Sequence, residues 1–170
     1  MKLGCFASAL ALVLIVSTPS RAQDPKPKIS DPKLREAVAK YEEASAKFSE
    51  GDPDPYIACW SKHEDVLDLG TGGGYGMKGF AEISKQAKGY APRVRTKGFK
   101  STFEYVSVVE TKEMATVVCT SRLTPPAEKP EGTPLAFRNT LVFRLEDGEW
   151  KIVLRHFDLL VNVRKREEKK

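Results

Sequence analysis

Apolar residues along this chain follow two different rhythms, one up to about residue 90 and another after it. From Leu34, the positions Val38, Tyr41, Ala44, Ser45 and Phe48 recur at helical spacing. Ser30 or Asp31 is placed to cap this helix, Pro32 suits its first turn, and Gly51-Asp52-Pro53 ends it. A second, short helix is predicted next, with Tyr56, Ile57 and Trp60 on one side. Val66 to Leu69 reads as a short strand, residues 70–79 as a glycine-rich loop, and Phe80 to Lys88 as a third helix burying Phe80, Ile83 and Ala87. Past Pro92 the pattern becomes β-branched and aromatic over four long runs: Phe99 to Glu110, Met114 to Thr124, Leu135 to Glu146 and Glu149 to Val163. Turn signals at Thr111-Lys112, Pro125-Pro126 through Gly132, and Asp147-Gly148 separate them. Helices followed by an antiparallel meander predict an α+β fold, and no internal repeat is present.

The last two strands have the clearest faces. Asn139, Leu141, Phe143 and Leu145 alternate with Arg138, Thr140, Arg144 and Glu146. Trp150, Ile152, Leu154, His156 and Asp158 alternate with Lys151, Val153, Arg155, Phe157 and Leu159. The first set of each is expected to face the helices, provided no bulge interrupts the count. That expectation turns His156 and Asp158 inward. Asp68 shares the parity of Val66 and stands beside the glycine loop, so it is expected to face the same cavity as His156. Val153, Phe157, Leu159 and Val161 would then form an outer apolar row, which favours a homodimer because they would otherwise be exposed.

Three stretches carry a family resemblance. A long helix ends in Phe48-Ser49-Glu50-Gly51-Asp52 and is followed by a short helix with Trp60. A short strand leads into a glycine-rich loop, Gly79 and a helix. Arg144-Leu145-Glu146-Asp147-Gly148-Glu149-Trp150-Lys151-Ile152 is followed by His156-Phe157-Asp158. Together, from residue 32 to 161, they resemble the NTF2-like superfamily. The last stretch is similar to the SnoaL-like and DUF4440-type ending and to the kinase-II association domain. The resemblance implies a cone in which N-terminal helices pack on a curved, mostly antiparallel sheet around an apolar pocket, with dimers through the outer sheet face. Tyr41, Trp60, Phe103, Tyr105, Asn139, Phe143 and Asp158 are the residues expected to contact a small, partly apolar ligand there. Aligning Gly51-Asp52 without gaps to ketosteroid isomerase relatives sets Asp68 on their proton-shuttling aspartate. Their tyrosine on the first helix is Ala44 in this chain, Tyr41 lies about one turn away, and their second aspartic acid has no match.

Candidate chemistry concentrates around Asp68. A carboxylate in an apolar pocket can act as a general base, its affinity for a proton raised by desolvation. The alternative is a polar strand-end residue bonded to the glycine loop. With Asp68 or Asp158, His156 could form a base or ligand pair, or it could be a satisfied core residue. His63, beside Glu64 and Asp65, is expected to be exposed. Asp68-Leu69-Gly70-Thr71-Gly72-Gly73-Gly74 matches the cofactor loop of S-adenosylmethionine-dependent methyltransferases, and Gly74, Gly76 and Gly79 satisfy a dinucleotide-binding spacing. Such folds need strands and helices alternating after the loop. This chain offers one helix and then hairpin-connected strands, so no cofactor is expected and the glycines are read as turn residues at the pocket rim. No metal-ligand spacing and no nucleophilic triad stands out. Cys59 and Cys119 could pair or serve as small buried hydrophobes.

Charge and the chain ends supply the remaining context. The 170 residues carry a formal +5, but the first 22 residues account for +2 and the tail 164–170 for +3. Residues 23–163 are therefore neutral, and a neutral domain offers no basic stripe for nucleic acid. Lys2, the apolar run Phe6 to Val16 and Ser20-Arg21-Ala22 read as a cleaved signal peptide over residues 1–22, too short to span a bilayer, which takes about 20 apolar residues. A linker over 23–30, the domain over 31–163 and the basic tail follow. The sequence thus reads as an exported protein, periplasmic or secreted, with no transmembrane segment after cleavage. Its expected role is non-catalytic binding of an unknown small molecule. The alternatives are a small isomerase, dehydratase or cyclase using Asp68 and His156, or a dimerisation module whose pocket is filled by Trp60, Phe103, Tyr105 and Phe143.

Overall fold

The computed structural model describes residues 27–70, 76–94, 96–127 and 134–160. Helix α1 (Pro32–Glu50) begins where Asp31 accepts hydrogen bonds from the backbone N–H groups of Lys33 (2.7 Å) and Leu34 (3.2 Å). It ends at Gly51, whose φ of 103° is the left-handed turn that a β-carbon disfavours. Leu34, Val38, Tyr41 and Ala44 bury one stripe of α1 against the sheet. Then come α2 (Asp54–Ala58), β1 (Leu67–Leu69), β2 (Met77–Lys78), α3 (Phe80–Tyr90) and a short 3-10 turn (Ala91–Arg93). The meander follows as β3 (Lys100–Glu110), β4 (Met114–Thr124), β5 (Leu135–Glu146) and β6 (Glu149–Leu159). Strand β2 lies inside the stretch read from sequence as loop, because two residues are too few to show a period.

The six strands form one open sheet in the order β2-β1-β6-β5-β4-β3. Every neighbouring pair is antiparallel except β1 and β6, which run parallel. Asp147 (φ 49°) and Gly148 (φ 81°) make the tight β5–β6 turn, both in the left-handed region that a two-residue hairpin requires. The indole N–H of Trp150 then donates to Asp31 at 3.2 Å, tying this hairpin to the start of α1. Trp60, Phe143, Leu141 and Ile152 fill the closed end of the cone, each at most 1% exposed. This is the α+β arrangement expected from the sequence, N-terminal helices packed on a mostly antiparallel sheet.

One irregularity changes which residues face the helices. Phe143 pairs with Ile152, but the next β5 residue, Val142, pairs with Leu154, so Val153 is an extra residue in β6. The bulge sits where β6 changes neighbours. Ile152 exchanges backbone hydrogen bonds with Cys59 (2.9 Å) and Ser61 (3.0 Å), whereas Leu154 onward pairs with β1. Past the bulge, the inward set is Arg155 and Phe157, and the outward set is Leu154, His156 and Asp158. The inward placement of His156 and Asp158 is therefore corrected. Val153, which is buried in the core, leaves the expected outer apolar row together with Phe157 and Leu159, which share the inward parity; Val161 lies outside the described residues. A second irregularity between Tyr105 and Ser107 leaves Val106 59% exposed.

Candidate functional site

A cavity of about 470 Å³ opens between α1, α3 and the inner face of the sheet. Phe48, Ile83, Phe103, Leu123, Phe137 and Phe157 supply much of its apolar wall. The aromatic pair Phe137 and Phe157 stacks at 4.3 Å between ring centroids, 17° from parallel. This pair lies on adjacent strands, and it exists because the bulge turned Phe157 inward.

A polar group built by the parallel β1–β6 pairing closes one end. Asp68 and Arg155 are direct register partners, so their inward side chains meet. Arg155 donates from Nε to Asp68 Oδ1 and from Nη2 to Oδ2, both at 2.9 Å, a bidentate pair with planar complementarity. The Asp68 side chain is 2% exposed and that of Arg155 16%. The Tyr56 hydroxyl, carried on α2, donates to Asp68 Oδ2 at 3.2 Å. The guanidinium carbon lies 5.2 Å from the Tyr56 ring centre and 5.0 Å from that of Phe157, within cation–π range. Burial pushes the Tyr56 phenol well above its ordinary value; Arg155 opposes the shift and Asp68 adds to it. Burial also raises Tyr41, again opposed by Arg155. Both phenols thus stay protonated at neutral pH and act as hydroxyls, not bases.

The carboxylate expected to serve as a general base already accepts three hydrogen bonds. On the cavity floor, Asn139 Nδ2 donates to Ser121 Oγ at 3.0 Å, and Asn139 Oδ1 has no partner among the described residues.

Of the residues singled out from sequence, Tyr41, Asp68, Phe103 and Asn139 line the cavity. Trp60 and Phe143 instead pack in the closed end of the core. Tyr105 lies outside the cavity wall and donates its hydroxyl to Glu42; burial first, then this bond, pushes its phenol up. His156 and Asp158 form an exposed pair on the outer face, 3.1 Å apart and 49% and 44% exposed. Asp68 and His156 are thus on opposite faces of the sheet, although His156 pairs with Leu69, next to Asp68. His63 is exposed as expected. Cys59 and Cys119 are both free; burial lifts their thiols to about 11 and about 12.

The sequence reading missed Arg155, Tyr56, Phe137, Phe157 and Ser121. The parity count that turns His156 inward sets Arg155 and Phe157 outward, and only the bulge reverses them; the one hint in the sequence is that an inward aspartate needs a counter-ion. Among the described residues, no group of three His, Cys, Asp or Glu could hold a metal. Gly72, Gly73 and Gly74 of the methyltransferase-like motif lie outside the described residues.

The sequence profile of the SnoaL-like domain matches residues 35–161. Among solved structures, the chain is similar to a protein from Thiobacillus denitrificans described as a calcium/calmodulin-dependent protein kinase type II association domain. Identity is 19% over 79% of this chain and 100% of that one, with a TM-score of 0.64. An NTF-2 like protein of unknown function from Shewanella oneidensis shares 20% identity over 74% of this chain and 95% of its own, with a TM-score of 0.58. A protein from Parabacteroides distasonis described as a ketosteroid isomerase shares 14% identity over 79% and 92%, with a TM-score of 0.59. At these identities the likeness concerns the fold. Comparison with curated proteins finds no match.

Proposed function

The chain belongs to the SnoaL-like domain family, and from that premise we propose that it is an exported binding protein that holds a small, partly apolar molecule in its cone without transforming it. The observation that carries this reading is an open cavity of about 470 Å³ whose buried carboxylate is already spent on Arg155 and Tyr56. Mostly apolar clefts of this size with a few fixed polar groups suit small ligands. A dimerisation module would have its pocket filled; Trp60 and Phe143 fill the closed end, yet the cavity remains. The isomerase-type alternative needed Asp68 and His156 to converge, and the sheet stands between them.

Export rests on the N-terminal segment, which lies outside the described residues, so the test is whether the protein fractionates with the cell envelope or medium. No described helix is long and apolar enough to cross a membrane. A homodimer remains part of the proposal, with its outer row redrawn to Val118, Val142 and Leu154. Lysine at Val118 and Leu154 should give a monomer in sedimentation; a parent that is already monomeric at micromolar concentration removes the idea. The binding reading itself is tested by native mass spectrometry of protein isolated from its source. A small organic adduct released on denaturation is expected, together with a higher melting temperature for the loaded form. If isolated protein carries none, and an aromatic and alicyclic compound panel leaves melting unchanged, the proposal falls.

A further inference from the structure

The inward side chains of β5 are mostly apolar: Phe137 on the cavity floor, and Leu141 and Phe143 in the closed end beyond it. Asn139 breaks that row. It pairs with Phe157 on one side and with Cys119 on the other, and it is fully buried. Its amide spends one end on Ser121, the inward residue two positions along β4, at 3.0 Å. The other end has no partner among the described residues. Exchanging the amide oxygen and nitrogen changes nothing essential. In one orientation Ser121 accepts and keeps its O–H free beside a free amide oxygen. In the other it donates and leaves a lone pair free beside a free amide N–H. Either way the pair holds at least one unspent donor and at least one unspent acceptor at a single place on the floor. Left unmet inside a protein, such groups cost stability, and leucine and alanine would fill the same space without that cost.

We infer that the ligand is an uncharged, largely apolar molecule bearing a group that both gives and takes a hydrogen bond, a hydroxyl or carboxamide, and that Asn139 and Ser121 read this group. The inference rests on the pocket-binding reading above. Phe137, Phe157 and Phe103 provide ring faces for the apolar body. Asp68 and Arg155 cancel each other, and the other charged residue on the wall, Glu82, is acidic and exposed, so a carboxylate on the ligand would enter without a counter-charge of its own. Asn139 Oδ1 has almost no exposed surface, so the ligand's polar group reaches it by parting the side chains over the floor.

The full-length protein can be titrated with three probes of one shape: 2-naphthol, 2-methylnaphthalene and 2-naphthoate. Binding of 2-naphthol about tenfold tighter than 2-methylnaphthalene is expected, with 2-naphthoate weakest. In the variant carrying Asn139→Leu and Ser121→Ala, the hydrocarbon should still bind, the advantage of the naphthol should vanish, and melting should occur at or above the parent temperature. Equal binding of naphthol and hydrocarbon by the parent, or an advantage that survives in the double variant, overturns the inference and leaves the pocket reading standing. No binding of any probe overturns both. Should the double variant fail to fold, Ser121→Ala alone carries the test: it must reduce the naphthol advantage while sparing the hydrocarbon, and an unchanged ratio overturns the inference.

Discussion

Replacing Asp68 with asparagine removes the negative half of an ion pair whose positive half is largely withdrawn from water. Arg155 keeps its charge at every accessible pH, and its side chain is only 16% exposed, wedged between the rings of Tyr56 and Phe157. The asparagine nitrogen also faces one of the guanidinium donors. Breaking a buried, hydrogen-bonded pair by removing one partner typically costs about 3–5 kcal/mol. With a urea dependence of about 2 kcal/mol per molar, the unfolding midpoint should fall by about 2 M. An internal control exists in the same fold. Arg144 pairs with Asp65 at 2.7 Å, but Asp65 is 61% exposed, so Asp65→Asn should cost no more than about 1 kcal/mol. Removing both buried charges together, Asp68→Leu with Arg155→Met, should recover most of the loss, because an apolar pair bears no desolvation cost. The assay is urea unfolding of the parent, both asparagine variants, Arg155→Met and the double variant, read as a double-mutant cycle. If Asp68→Asn costs no more than Asp65→Asn, the reasoning about a desolvated anchor is wrong. If the double variant is as unstable as the worse single variant, the pair is not an isolated unit.

Three further outcomes are expected. Gly51→Ala should lose about 1–2 kcal/mol by forcing an L side chain to a φ of 103°, since the nearest atom to its new β-carbon, Ala91 O, is a comfortable 3.6 Å away; an unchanged urea midpoint would show that the helix end relaxes. The Asp31 carboxyl sits below its ordinary 3.8: burial opposes this, but the N–H groups of Leu34 and Lys33, then Trp150 and Lys33, outweigh it. Its stabilisation is therefore full above about pH 4 and is lost as pH falls through the lower folded value; the melting advantage of the parent over Asp31→Ala should shrink between pH 5 and pH 2, and a constant difference would contradict it. Cys59 and Cys119, with thiols lifted to about 11 and about 12, should resist iodoacetamide at pH 8 in the folded protein and react in guanidinium; rapid labelling of the folded protein would count against their burial.

Much of this protein follows from local pattern. Asp31, Pro32 and Gly51 bound α1 through capping and backbone conformation, which act within a few residues. Asp147-Gly148 specifies the tight hairpin for the same reason, and the alternation of Asn139, Leu141 and Phe143 assigns the faces of β5 correctly. The sequence motifs were also enough for the family, because a long helix, a glycine-bearing loop and a closing hairpin in that order leave few other folds. What the pattern could not reveal was the face of the last half of β6. Val153 is one extra residue, and nothing local marks it, since Ile152-Val153-Leu154 is apolar throughout. Its position is set by a distant event, the hand-over of β6 from the Cys59–Ser61 segment to β1. That one residue reverses the parity of everything after it. It sends His156 and Asp158 to solvent and brings Arg155 onto Asp68 and Phe157 onto Phe137. The chemistry of the cavity, an anchored ion pair and an aromatic wall in place of a His–Asp pair, was thus decided by strand pairing between residues nearly ninety apart, because register across a sheet is a property of partners and not of the strand itself.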